Sequence, residues 1–95
     1  MNTLCLRTRN SLDDIMMHQV SMSWKVAESR LNSIENVLIY NFEGTMVLRA
    51  QFNRNTTISD PRNNGRYYIG LSNCSIAPCD YTWGKSSNCI KYIQL

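Results

Sequence analysis

Residues 37–53 admit few folds. Val37-Leu38-Ile39-Tyr40 is an unbroken apolar run with β-branched and aromatic side chains, the pattern of a buried strand. Glu43-Gly44 follows, and glycine accepts the positive φ that a tight hairpin needs. Strict alternation comes next. Met46, Leu48, Ala50 and Phe52 point one way, and Val47, Arg49, Gln51 and Asn53 point the other. A hairpin with one apolar face is not stable alone, so the rest of the chain must cover it.

The flanking segments supply the cover. Residues 2–9 alternate, with Leu4 and Leu6 on one parity and Cys5 and Arg7 on the other, and read as a first strand. Asn10-Ser11 stops it. Ser11 with Asp14 makes a helix-start signature, and Asp13 and Asp14 suit the positive end of a helix dipole. Leu12, Ile15, Met16 and Gln19-Val20 keep helical spacing, which predicts a helix over about 12–22. Residues 27–34 read as a second short helix, with Glu28, Ser29, Arg30 and Asn32 facing water. Turn formers dominate 53–65, although Thr56-Thr57-Ile58 has the composition of a short strand. Residues 66–71 predict a strand, with Tyr67, Ile69 and Leu71 opposite Arg66 and Tyr68. Residues 72–88 are small, polar and broken by Pro78 and Gly84, and 90–95 reads as a final strand. The expectation is an α+β fold: a small mixed, largely antiparallel β-barrel with two short N-terminal helices, forming a single domain over 1–95.

Composition agrees with that size. A chain of 95 residues supports one modest core. With 43% apolar and 18% charged residues, it has neither a disordered nor a coiled-coil profile. No apolar run approaches the roughly 20 residues of a membrane span, so no membrane partner is expected. The N-terminal stretch lacks an apolar signal region, and the expected location is cytoplasmic, in a bacterial or infected host cell. Without secretion, Asn55-Thr56-Thr57 is a chance match to a glycosylation acceptor.

Catalytic readings fail on residue type. His18 is the only histidine and falls within a helical stretch; Asp13-Asp14 is explained by helix capping. There is no nucleophile elbow and no glycine-rich phosphate loop. Tyr68-Ile69-Gly70 spells half of a GIY-YIG nuclease motif, but the other half and its downstream Arg and Glu cannot be placed. The expectation is a protein that is not an enzyme and has no cofactor. Cys5, Cys74, Cys79 and Cys89 lack the paired knuckles of a structural zinc site and read first as partly buried thiols. A Cys74–Cys79 or Cys74–Cys89 disulfide, and a three-cysteine site with His18, are the other readings.

What remains is cations beside aromatics. The net charge is only +3, yet seven of the ten cations are Arg, the side chain suited to phosphate forks and base edges. Arg49, Arg54, Arg62 and Arg66 fall on solvent faces, and Tyr68 shares a strand parity with Arg66. Trp24-Lys25 and Trp83-Gly84-Lys85 each put an indole beside a cation in a turn-like setting, as base-stacking sites do. The plain alternative is that each Trp is core and each Arg merely solvated.

The order of these features resembles the small PUA-like domains found beside nucleases in bacterial and phage proteins. The likeness rests on Trp24-Lys25-Val26 after a helix, a short helix ending near Ile34, Val37-Leu38-Ile39-Tyr40 and the hairpin at Gly44. It continues through Gly65-Arg66-Tyr67-Tyr68-Ile69-Gly70 and the ending Gly84-Lys85-Ser86-Ser87-Asn88-Cys89-Ile90-Lys91-Tyr92-Ile93. The chain departs from the pattern at Ala27, at Cys89, where such domains carry Pro, and in the loop with Cys74 and Cys79. The resemblance implies a barrel with a cleft for nucleic acid or a modified base, lined here by Trp24, Lys25, Arg66, Tyr68, Trp83, Lys85 and Asn88. A free-standing module of this kind implies a phage or mobile-element regulator. The alternatives are a protein-binding, anti-defence inhibitor of a host enzyme and a sequestering protein for a small cyclic nucleotide.

Overall fold

The computed structural model describes residues 2–84 and 88–94. Strand β1 (Asn2–Thr8) is followed by helix α1 (Leu12–His18), β2 (Val20–Lys25), α2 (Glu28–Leu31), β3 (Ile34–Asn41) and β4 (Met46–Phe52). A 3-10 turn (Arg54–Thr56) leads to β5 (Ile58–Ser59), β6 (Arg66–Pro78) and β7 (Ile90–Gln94). The strands make one sheet in the order β2-β6-β4-β3-β1-β7, with β5 added against β6. Neighbours are antiparallel except β1 and β3, which run parallel. A parallel pair needs a long crossover, and α1, β2 and α2 provide it. The result is a small mixed α+β fold, a sheet curled into a half-barrel with two short helices. Among the described residues, no helix is long and apolar enough to cross a membrane.

The hairpin forms as its sequence dictates. Gly44 takes φ +76°, and Ile39 pairs with Leu48 and Tyr40 with Val47 across it. The inner face holds the core. Leu4, Leu6, Val37, Ile39 and Leu48 are fully buried there, closed by Leu12, Ile15, Val26, Leu31, Ile69 and Leu71.

Five expectations require correction. The helix expected over 12–22 stops at His18. Ser11 caps its start by accepting from the Asp14 amide at 3.3 Å, and Gln19 ends it in the left-handed region, φ 56°, donating to the Ile15 carbonyl at 2.8 Å. Residues 20–25 then pair with β6, so Trp24-Lys25 lies on a strand and not in a turn. Ladder pairing there outweighs the helical spacing of Val20. The second helix is likewise shorter than expected, covering Glu28–Leu31.

The strand expected over 66–71 runs on to Pro78. Cys74 and Ile76 are half-buried against the core while Asn73 and Ser75 are exposed, an alternation that small polar residues conceal. Val47, expected on a polar face, is buried at 3% exposure. The cause is a strap, residues 79–84, laid across the outer face of the sheet. The Cys79 amide donates to the Thr45 carbonyl at 2.9 Å and the Tyr81 amide to the Gly44 carbonyl at 3.0 Å. Tyr81 stacks on Tyr40 with ring centroids 4.2 Å apart, and Trp83 meets both rings edge-on. Thr3 and Cys5, which share this outer parity, are buried as well.

Candidate functional site

β2 and β7 are the two ends of the strand order, and they come together beside α2. Lys25, at the end of β2, shares a groove of about 580 Å³ with Arg30 of α2, with Asn88, and with Ile90, Lys91, Tyr92 and Ile93 of β7. The groove is the seam of the half-barrel. Among its described lining residues three are cations and none is a carboxylate, which favours an anion there.

Arg30 and Lys91 are each positioned by an aromatic ring. The Arg30 guanidinium lies 4.3 Å from the centroid of the Tyr92 ring. Burial pushes the Tyr92 hydroxyl above its ordinary pKa, and the Arg30 charge partly offsets this. The Lys91 ammonium lies 4.4 Å from the Trp83 ring centroid and donates to the Trp83 carbonyl. Lys25 is exposed and stands opposite Arg66 in the β2–β6 register. Cations fixed against aromatic faces lose less freedom when they meet an anion.

The sequence-derived residues separate into two groups. Lys25 and Asn88 line the seam. Arg66 is exposed next to Lys25, its guanidinium donating to the Ser23 carbonyl at 2.7 Å. Trp24 is partly buried, packs against the core and donates from Nε1 to the Ser21 hydroxyl at 2.9 Å, and it does not line the seam. The Tyr68 hydroxyl donates to the Asp60 carboxylate at 3.3 Å, away from the seam lining. Trp83 is buried on the outer face, donating to the Asn88 carbonyl at 2.8 Å, with the sheet between it and Trp24. Lys85 lies outside the described residues. Arg30, Lys91 and Tyr92 join the site although sequence reading did not select them. Lys91-Tyr92 carries the same cation-beside-aromatic signal as Trp24-Lys25. Arg30 carries none, because only the chain crossover brings α2 to β7.

The cysteines do not assemble a centre. Cys74 faces the core, whereas the Cys79 thiol donates to the Gly44 carbonyl at 3.3 Å on the outer face, so these two are not bonded to each other. Burial raises the Cys5 and Cys74 thiols above their ordinary pKa. His18 is exposed at the end of α1, with Nδ1 2.8 Å from the Asp14 carbonyl. Among the described residues no three His, Cys, Asp or Glu side chains converge to hold a metal. That removes the support for a three-cysteine site with His18.

Comparison of the chain with protein-family models, with curated proteins and with solved structures finds no match.

Proposed function

We propose that this protein is a non-enzymatic binding module for nucleic acid or a modified base, with the seam groove as its binding surface. The observation that carries this reading is the set Lys25, Arg30 and Lys91 in one groove with no carboxylate among its described lining residues, and the Tyr92 ring beside them. Phosphates meet the cations, and an unstacked base meets the ring. The PUA-like resemblance, with its closed barrel and its regulatory role in a phage or mobile element, belongs to the same proposal.

Titration of short single-stranded oligonucleotides, plain and methylated, between about 50 and 200 mM salt tests it. Three neutralised phosphates correspond to a log–log salt slope of about −2, and Lys25→Ala or Arg30→Ala each reduces that slope by about 0.7. Absence of binding at the lower salt would sink the reading. Saturable capture of a cyclic nucleotide, with no oligonucleotide binding, would replace it with sequestration.

One observation favours a second reading, the protein-binding inhibitor. β7 ends the strand order and leaves Tyr92 and Ile93 exposed at 37% and 38%. Such an edge accepts an added strand from a partner.

A further inference from the structure

A second cleft lies on the outer face of the sheet, away from the seam. It measures about 440 Å³, within the range of small-molecule sites. Leu38, Tyr40 and Val47 form an apolar floor, and Tyr81 from the strap forms an aromatic wall. Its lining includes one cation, Arg49 on β4, and one carboxylate, Asp80 on the strap, both exposed. Thr3, 1% exposed, also lines it, with its Oγ1 sealed from the cleft.

We propose that this cleft binds a small zwitterion with an aromatic body, the chemistry of a free aromatic amino acid. Arg49 takes the carboxylate, Asp80 takes the ammonium, and the ring rests on Leu38 and Val47 beside Tyr81. The pair of opposite charges rejects ligands that carry only one of the two.

Calorimetric titration of the full chain with tryptophan, tryptamine and indolepropionate reads this directly. The expected result is saturable tryptophan binding, with tryptamine and indolepropionate each weaker by about tenfold or more. Arg49→Gln abolishes the preference for tryptophan over tryptamine, and Asp80→Asn abolishes the preference over indolepropionate. No saturable tryptophan binding at millimolar concentration overturns the proposal, as does equal binding of the three ligands. Variants at Arg49 and Asp80 that leave the preferences unchanged overturn it too. None of these outcomes bears on the seam, whose residues are untouched.

Discussion

Asp60 shows how much a single side chain organises. It is 6% exposed, and its carboxylate accepts from the Asn63 side chain at 2.9 Å, the Arg62 amide at 2.9 Å, the Ser23 hydroxyl at 2.8 Å and the Tyr68 hydroxyl. Ser23 ties the 60–66 loop to β2, and Tyr68 ties it to β6. These bonds, the Asn63 and Arg62 ones foremost, hold the carboxyl at about 2, below its ordinary 3.8, against the opposing effect of burial. A native pKa below the unfolded one means stability that is complete above about pH 4 and is lost as pH falls through 2. Thermal melts of wild type and Asp60→Asn are therefore expected to differ at pH 6 and to converge near pH 2. A gap that stays constant with pH would show that the charge is not what matters. Asp-Pro and Asn-Asn-Gly mark a turn in the sequence, but nothing local shows that its carboxylate reaches two strands.

Among the elements, the strap ties the outer face of the sheet together. It is seated at Gly44, where a Cβ would stand 2.0 Å from the Tyr81 carbonyl oxygen, and its far end is held by Trp83. The outer face beneath it keeps Cys5 at 2% exposure and raises both the Cys5 thiol and the Tyr40 hydroxyl above their ordinary pKa, burial being the first cause of each. Trp83→Ala removes two edge-on ring contacts, a hydrogen bond and the surface that Lys91 rests on. The expected cost is about 3–5 kcal/mol in urea unfolding. Alkylation of Cys5, followed by mass spectrometry, should accelerate in the same variant. Unchanged Cys5 reactivity would mean that the strap does not depend on Trp83. The strap itself was not legible in the sequence. It has neither helical nor strand periodicity, and its contacts are with Tyr40 and Gly44, far away along the chain.

For the whole molecule, protection should follow the strand order. β3, β1 and β4 have a neighbour on each side, whereas β7 stands at the edge and β5 has two residues. Amide exchange is expected to be slowest in β1, β3 and β4 and fastest in β5 and β7. Protection of β7 equal to that of β3 would show that its open edge is paired in solution, by barrel closure or by another chain.

The sequence alone determined the β3–β4 hairpin, the N-terminal strand, the capped start of α1 and the final strand. Each of these rests on period-two alternation, on a glycine at a turn or on a capping side chain, all read within a few residues. Only the tertiary structure ended α1 at Gln19, extended β6 through its polar half and buried Val47, because each depends on a distant partner: β6, β4 or the strap. It also reassigned the aromatics. Trp24 went to the core and Trp83 to the strap, while Arg30, Lys91 and Tyr92 joined Lys25 at the seam. Local pattern specifies which face of an element is apolar. Which faces and edges meet, and so which charges share a groove, is set by the crossover and by the curl of the sheet.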